Sequence, residues 1–218
     1  MTDSTGRRFR EDLLAWAEEN LRDFPWRERD QTLYQVFVAE FFLTQTPATN
    51  VAKVYPTFLE RFPSLREIEE ATLDEVEDVI KPLGFQRMRA EALSEIASRH
   101  EALPEDPEGL QKLPRVGPYV ANATVCFARA RRLPLLERNV VRAYERVFGD
   151  GFPESPKARR EFAGEMLPED GQTARVYNLA LIDFGTLVCT KLDPHCTECF
   201  ASDYCEYFSS LDERQPER

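Results

Sequence analysis

The segment Leu110–Arg142 decides the fold of this chain, and it reads LQKLPRVGPYVANATVCFARARRLPLLERNVVR. The pattern predicts a helix that ends at Pro114, a sharp turn at Val116-Gly117, and a second helix directly after the turn. Gly117 is the residue of this turn that tolerates a positive φ. The second helix would point its unbonded N–H groups and its positive dipole end at the turn, beside Arg115. Because such helix ends attract anions, the segment predicts a phosphate-binding turn between two helices.

The second half of this segment carries a carboxylate, Glu137, which follows an apolar run and precedes a helix. We expect this helix to be capped near Asn139. A helical hairpin with a glycine turn occurs in many helical proteins, and a carboxylate that only pairs with Arg142 would be structural. The ordered pattern LPxVGxYxA, apolar run, carboxylate, Asn and Arg is more specific than either part. It resembles the helix-hairpin-helix and following loop of the base-excision DNA glycosylase superfamily that includes endonuclease III.

This resemblance implies functions for residues of the segment. The turn formed by Arg115, Val116 and Gly117 is expected to bind DNA phosphate. Glu137 stands where the family's catalytic acid stands, although the family residue is usually Asp. Tyr119 stands where the lyases of the superfamily carry a Lys that forms a Schiff base, and a phenol cannot form that adduct. The resemblance therefore predicts a glycosylase without lyase activity, in which Tyr119 stacks on the flipped base.

Helical spacing of apolar residues continues through the rest of the chain, and no strand pattern or internal repeat is visible. Capping-box patterns that begin at Ser64 and Thr72 predict two helix starts. The sequence therefore predicts an all-α fold, with residues 1–8 disordered and residues 209–218 forming a polar tail.

The resemblance also implies two helical domains. One is a helical barrel over residues 29–133, which contains the hairpin. The other combines residues 1–28 with residues 134–218 and ends in an iron–sulfur cluster loop.

Four of the five cysteines stand close together with the spacing C-x₆-C-x₂-C-x₅-C. They are Cys189, Cys196, Cys199 and Cys205. Disulfides are disfavoured inside cells, so a metal centre is the simplest explanation. Zinc sites usually combine two short Cys pairs, and only one pair here is that close, whereas four thiolates in one loop suit a [4Fe–4S] cluster. The spacing is also the one that the endonuclease III superfamily uses for its cluster.

An apolar segment, Tyr34–Thr44, predicts a buried helix that contains one carboxylate, Glu40. A carboxylate in that position costs free energy unless it is paired or faces a cleft, and burial would raise its pKa. A buried glutamate with all its hydrogen bonds satisfied is the alternative. The resemblance implies that Glu40 is catalytic, either orienting water or hydrogen-bonding the departing base.

Two further positions match residues that open the DNA duplex in the superfamily. Gln45, just after the buried helix, would fill the space that the flipped base leaves. Phe85 would insert as an apolar wedge on the opposite strand, which offsets lost base stacking. For Phe85, a core residue at the start of a helix is the alternative.

The formal net charge is −11, which by itself argues against a nucleic-acid partner. Basic residues nevertheless cluster locally, at Arg87/Arg89, Lys112/Arg115, Arg129/Arg131/Arg132 and Arg138/Arg142/Arg146. Abundant Asp and Glu with mainly Arg as the base are typical of a salt-loaded, halophilic cytoplasm, and equally of an ordinary acidic protein. Without a membrane-length apolar run or a signal peptide, we expect a soluble cytoplasmic protein, acting as a monomer.

The sequence thus predicts a monofunctional DNA glycosylase that releases a mismatched or damaged base from double-stranded DNA. Uracil or thymine opposite guanine is the first expected substrate, because adenine glycosylases usually add a C-terminal domain and the sequence ends shortly after Cys205. Adenine is the second. A protein that binds lesions through the same elements without cleaving them is the main alternative. A redox protein would explain the cysteines but not the hairpin.

Overall fold

The structure, a computed structural model, describes residues 4–28 and 30–212. Every regular element within those ranges is helical, which confirms the all-α prediction. The α-helices are α1 (Ser4–Asn20), α2 (Leu33–Leu43), α3 (Ala48–Arg61), α4 (Leu65–Glu70), α5 (Leu73–Ile80), α6 (Gln86–Arg99), α7 (Pro107–Leu110), α8 (Pro118–Arg129), α9 (Arg138–Phe148), α10 (Pro156–Met166), α11 (Gly171–Leu187) and α12 (Glu206–Asp212). Short 3₁₀ turns cover Pro25–Arg27, Lys81–Leu83, Gly149–Gly151, Cys196–Glu198 and Ser202–Tyr204. None of these helices is both long and apolar enough to cross a bilayer.

Contacts divide the chain into two compact units. The hairpin unit is Asp23–Arg129, and the cysteine unit combines the chain up to Arg22 with the chain from Ala130 onward. The sequence predicts boundaries after residues 28 and 133. The observed boundaries, after Arg22 and Arg129, come six and four residues earlier in the chain.

The hairpin unit is built around α2, whose residues are buried on nearly all sides. Thr32 and Gln35 form a complete capping box at its start, and the helix packs against α3 and α8. The rings of Phe42 and Phe58 meet edge to face at 4.9 Å. Both predicted helix starts in this unit are confirmed, at α4 and α5, although only Thr72 forms the full capping box.

The cysteine unit packs α1 and α9 against α11, around fully buried aromatic rings. Its two ends are ordered further than expected. The prediction of disorder is wrong for residues 4–8, because Arg8 lies over the Tyr204 ring at 4.5 Å and bonds to Asp203. The expected polar tail is helical up to Asp212, because Tyr207 and Phe208 pack against the core of this unit. The remaining residues of both predicted tails lie outside the described ranges.

Candidate nucleic-acid interface and active site

The predicted hairpin is present in the hairpin unit, but its first helix is shorter than expected. Helix α7 ends at Leu110 rather than at Pro114. Beyond α7 the backbone forms four-residue turns, with the Lys112 N–H donating to the Gly109 carbonyl and the Leu113 N–H to the Leu110 carbonyl. Since Pro114 has no N–H to donate, the helix cannot be resumed there.

The reversal of the chain occurs at Arg115, whose φ is 61°. The expectation that Gly117 would need a positive φ is wrong. The reason lies in Val116, which buries its side chain and donates its N–H to the Leu113 carbonyl at 3.2 Å. Those two contacts force the backbone to turn one residue before Val116.

Gly117 has a different use in this turn. A Cβ placed on it would meet no atom within 4 Å, so the backbone is open to a ligand from outside. Gly117 and the neighbouring Arg115 are both exposed, as is Lys112. Helix α8 begins directly after this turn, and the N-terminal end of a helix favours a bound anion.

Fewer residues of the basic clusters are available to bind DNA phosphate than the sequence suggests. Arg89, Arg142 and Arg146 turn inward and donate to backbone carbonyls, and Arg89 is only 5% exposed. Arg132 donates to the carbonyls of Gly164, Leu167 and Pro168. The exposed basic side chains of these clusters include Lys112, Arg115, Arg131 and Arg138.

Gln45 and Phe85 occupy exposed loop tips in the hairpin unit, as wedge residues require. Phe85 exposes 57% of its surface, so its alternative reading as a core residue is wrong. Both residues have left-handed backbones, with φ of 58° for Gln45 and 52° for Phe85. Such conformations cost roughly 1–3 kcal/mol in residues other than glycine and persist only where the surroundings impose them.

Glu40 lies on α2 with 3% of its surface exposed. Its Oε2 atom has no hydrogen-bond partner among the residues that the structure describes, so the alternative of a fully satisfied carboxylate does not apply. Burial raises the pKa of Glu40 to about 7, and the charge of Arg27 opposes part of that rise. A side chain with this pKa exchanges its proton near neutral pH, which suits proton transfer or hydrogen bonding to a leaving group.

The raised pKa of Glu40 predicts a specific pH dependence of stability. The native state holds this proton more tightly than the unfolded chain, so unfolding becomes easier as the pH rises from about 4.5 to about 7. Glu40→Gln removes the titration. We therefore expect the free energy of unfolding of Glu40→Gln, relative to that of the parent, to rise by roughly 3 kcal/mol between about pH 4 and about pH 8. Urea unfolding at several pH values measures this difference. The exposed Glu69→Gln is the control and should show no such trend; a parallel pH profile for parent and Glu40→Gln would refute the raised pKa.

Glu137 is the N-cap of α9, two residues earlier than the expected cap at Asn139. Its backbone is extended, and its Oε1 accepts the Val140 N–H at 3.0 Å. The longer side chain of Glu can bend back over the first turn, so it replaces Asn139 as the cap. Glu137 is half-buried, and this is its sole side-chain hydrogen bond within the described residues. Its other carboxylate oxygen accepts no hydrogen bond from the described residues.

Arg142 does not pair with Glu137, so the alternative in which that carboxylate only pairs with Arg142 is wrong. Instead its guanidinium binds Asn139 Oδ1 at 2.9 Å, the Gly185 carbonyl, and the Cys189 carbonyl at 3.0 Å. This network fixes the first turn of α9 to the end of α11 and to Cys189, where the loop that carries the four cysteines begins.

The four predicted ligand cysteines line one cavity, with about 320 Å³ of free space that includes open solvent. Cys199 Sγ accepts the Ala201 N–H at 3.4 Å, and Cys189 Sγ accepts from Arg146 at 3.5 Å. Burial, together with the charges of the other three thiols, raises the pKa of Cys199 to about 11. The four cysteine side chains therefore lie around one partly buried cavity.

The cysteine side chains around this cavity are candidate ligands for a metal centre. Within residues 4–28 and 30–212, no group of three or more His, Cys, Asp or Glu side chains is close enough to hold one ion. In a cubane cluster each thiolate binds a different iron, so the sulfurs surround the group rather than converge on a point. Four cysteine thiols around one cavity are a donor set that a [4Fe–4S] cluster could use.

The predicted site residues are divided between the two units. Glu40, Gln45, Phe85, half-buried Tyr119 and the hairpin turn belong to the hairpin unit, whereas Glu137 and the four cysteines belong to the cysteine unit. Sequence reasoning missed two residues of the hairpin unit, Thr46 and Arg89, whose side chains bond to the loops that carry Gln45 and Phe85.

Comparison with known proteins gives sequence relatives of two kinds. A thymine-DNA glycosylase from Aeropyrum pernix is 35% identical over 198 residues, which are 87% of this chain and 88% of that protein. An adenine DNA glycosylase from Mycobacterium tuberculosis is 36% identical over 203 residues, which are 89% of this chain and 66% of that protein.

Solved structures agree with this relationship. The structure of a thermostable thymine-DNA glycosylase is 29% identical and superposes with a TM-score of 0.88, covering 94% of this chain and 97% of that one. Endonuclease III trapped covalently on DNA shares the fold, with a TM-score of 0.82 at 19% identity over 97% of this chain and all of that one. Residues 38–177 match the family described as "HhH-GPD superfamily base excision DNA repair protein". This chain therefore belongs to the HhH-GPD superfamily of base excision DNA repair proteins, as its hairpin segment predicted.

Proposed function

We propose that this chain is a monofunctional DNA N-glycosylase, which flips a mismatched or damaged base out of double-stranded DNA and releases it by hydrolysis. The observation that carries the proposal is Glu137, a half-buried carboxylate at the start of α9 with one oxygen left unbonded by the described residues. Cleavage of an N-glycosidic bond develops positive charge on the sugar, as glycoside hydrolysis does. A carboxylate at that point can stabilise the charge or orient the attacking water.

The other site residues prepare the base for this step. The hairpin turn would bind backbone phosphate, Phe85 and Gln45 would open the duplex, and Tyr119 would stack on the flipped base. Glu40, with its pKa raised to about 7, would hold a proton near the departing base or orient water. Because Tyr119 offers no amine, no covalent adduct with the sugar should form.

For the substrate, we propose uracil or thymine opposite guanine, and adenine as the next candidate. The thymine-DNA glycosylase of Aeropyrum pernix matches 88% of its length, and a thymine/uracil-DNA glycosylase of Pyrobaculum aerophilum matches 92% of its length at 32% identity. Adenine remains the second candidate substrate because the mycobacterial adenine DNA glycosylase is as similar in sequence to this chain as the thymine-DNA glycosylase is. A panel of duplexes with U·G, T·G, A·G and A·8-oxoguanine, assayed by single turnover, distinguishes these substrates.

A second function is favoured by one observation, the Glu that replaces the family's Asp at position 137. An extra methylene moves the carboxylate by roughly 1 Å, and such a shift can slow a reaction about 10²-fold. The alternative is therefore a protein that recognises lesions through the hairpin without cleaving them.

DNA binding should depend on the hairpin turn even though the net charge is −11. Because a Cβ on Gly117 meets no protein atom, Gly117→Ala should fold normally and still weaken DNA binding, by blocking close approach of a phosphate. Arg115→Glu should weaken binding about tenfold on every sequence and lower the salt dependence. Fluorescence anisotropy with labelled duplexes at several salt concentrations measures both effects. Arg66→Glu, an exposed charge reversal on α4, is the control and should bind like the parent; if both hairpin variants also bind like the parent, the hairpin is not the phosphate site.

We propose further that the four loop cysteines, Cys189, Cys196, Cys199 and Cys205, hold a [4Fe–4S] cluster. When bound, the cluster would supply four iron–thiolate bonds that fasten the loop, in place of a larger apolar core.

The purified protein should then contain about four irons per chain and absorb light at about 400 nm. Cys199→Ser should lose both signals and expose the C-terminal loop to proteolysis. Cys126→Ala is the control, because Cys126 is buried in α8 of the hairpin unit and does not line this cavity, and it should keep full iron content. Stoichiometric zinc without iron in anaerobically prepared protein would rule the cluster out.

A further inference from the structure

Two loops of the hairpin unit are held together by one buried arginine. Arg89 lies on α6, four residues after Phe85, and is 5% exposed. Its Nη1 donates to the Phe42 carbonyl at 3.1 Å, and its Nη2 donates to the Thr44 carbonyl at 2.6 Å and to Thr46 Oγ1 at 2.8 Å. These three acceptors surround Gln45, from the end of α2 to the residue after the tip.

Thr46 carries the connection across to the other loop. Its hydroxyl accepts from Arg89 and donates to the Leu83 carbonyl at 3.1 Å. Leu83 stands two residues before Phe85, and the Arg89 N–H itself donates to the Phe85 carbonyl at 3.1 Å. Hydrogen bonds thus join the backbone on both sides of Gln45 to Leu83, just before Phe85, and to α6, the helix that begins just after it.

The charge of Arg89 is compensated without a carboxylate. No Asp or Glu of the described residues lies within ion-pair distance of it, and its acceptors lie at the carboxyl end of α2. A cation at that end of a helix satisfies the last carbonyls and the negative end of the dipole. Lysine could not do the same, because a single ammonium cannot reach acceptors spread around a planar fork.

We call the hydrogen bonds that Arg89 and Thr46 make to the two loops the clamp. The backbone strain at both loop tips indicates why this clamp is needed. Gln45 and Phe85 are two of the four non-glycine residues with a positive φ in the described chain. Left alone, each loop would relax to a more common conformation and move its tip. The bonds from Arg89 and Thr46 oppose that relaxation at the residues that flank each tip.

We propose that Arg89, acting through Thr46, is a positioning residue for base flipping. It holds the loop tips at Gln45 and Phe85 at a fixed distance and orientation, so that both side chains enter the DNA together. This inference rests on the function proposed above, since it concerns the residues that separate the base from its neighbours. Arg89 touches neither DNA nor the reacting atoms, and its effect should appear only where a stacked, paired base must be displaced.

The test uses two variants that break the clamp at different points and one that leaves it intact. Arg89→Met keeps the length of the side chain and removes the fork, whereas Thr46→Val keeps the shape and removes the hydroxyl link to Leu83. Arg87→Met is the control, because Arg87 is exposed on the same helix and pairs only with acidic side chains. Arg89→Lys tests whether charge alone suffices.

Base flipping is measured separately from cleavage of the glycosidic bond, by the fluorescence of 2-aminopurine placed beside the target base as protein is added. Base release is measured in parallel under saturating protein, from a paired U·G duplex and from the same uracil in an unpaired bubble. We expect Arg89→Met and Thr46→Val to lose most of the fluorescence rise and to slow release from the pair about tenfold or more, with release from the bubble nearly unchanged. Arg87→Met should match the parent, and Arg89→Lys should resemble Arg89→Met.

Each other outcome overturns the proposal in a distinguishable way. If the parent opens DNA and both clamp variants open it equally well, the clamp has no role. If pair and bubble are slowed equally, Arg89 only supports the fold, which a lowered melting temperature would also show; Thr46→Val, the milder change, decides where Arg89→Met fails to fold. If the parent neither opens DNA nor releases a base, the proposed function itself fails, and the clamp inference with it.

Discussion

Glu137→Gln is expected to slow base release by about 10²–10⁴-fold while DNA affinity changes less than about threefold. The substitution removes the negative charge that would stabilise the sugar cation. It keeps the shape of the side chain, and the amide oxygen can still accept the Val140 N–H that now bonds to Glu137. The cap of α9 is therefore preserved, so a loss of rate reports the charge. Single-turnover release and equilibrium binding on the same duplex measure the two quantities.

Two further variants make this test specific. Glu145→Gln lies on the exposed side of α9 and should leave release unchanged. Glu137→Asp decides between the two proposed functions: it should be slower if the site is built around Glu, and faster if the chain is an impaired enzyme. Release by Glu137→Gln within threefold of the parent would remove Glu137 from the mechanism.

Asp183→Asn should be among the most destabilising single substitutions in the cysteine unit. Asp183 is fully buried on α11, where it binds both the guanidinium and the backbone N–H of Arg22. Arg22 Nη2 lies 2.6 Å from Asp183 Oδ1, and Arg22 N lies 2.9 Å from Oδ2. Removing one charge of a buried pair costs about 3–5 kcal/mol. Urea unfolding of the two proteins measures the loss.

The control for this prediction is the exposed pair of Arg66 and Glu70 on α4. Its N–O distance of 2.9 Å resembles that of the buried pair, but both side chains are largely in solvent. Glu70→Gln should therefore cost less than about 1 kcal/mol. Equal effects of the two substitutions would show that the Asp183 pair does not stabilise the native state.

The sequence located the hairpin correctly but not its backbone. Gly117 looked like the residue for a positive φ, because glycine adopts that conformation most easily. The structure uses Arg115, since the burial of Val116 decides where the chain reverses. A local pattern cannot show that burial, because it depends on the packing of the whole unit.

Arginine is where the sequence was least informative. Arg87 and Arg89 read as one basic cluster, yet residues two apart on a helix face different directions. Arg87 is exposed among acidic side chains, and Arg89 points into the unit. Nothing in the residue type distinguishes an arginine that binds phosphate from one that satisfies carbonyls, so the clamp became visible only in three dimensions.

The carboxylates were easier to predict. Glu40 stood in a continuous apolar segment, so its burial followed from the sequence and is confirmed. The cap of α9 was placed at Asn139 because Asn is a preferred N-cap residue, whereas Glu137 takes that position by bending its longer side chain back. The [4Fe–4S] cluster stays a prediction that the shared cavity of the four cysteines supports.

The most direct test of the proposed function is single-turnover incubation of the parent protein with a labelled U·G duplex, with and without alkali. We predict that uracil is released, that the strand stays intact until alkali cuts it at the abasic site, and that borohydride traps no adduct. A borohydride-trapped complex would contradict the monofunctional mechanism. If neither the parent nor Glu137→Asp releases a base from any duplex in the panel, the glycosylase proposal is wrong.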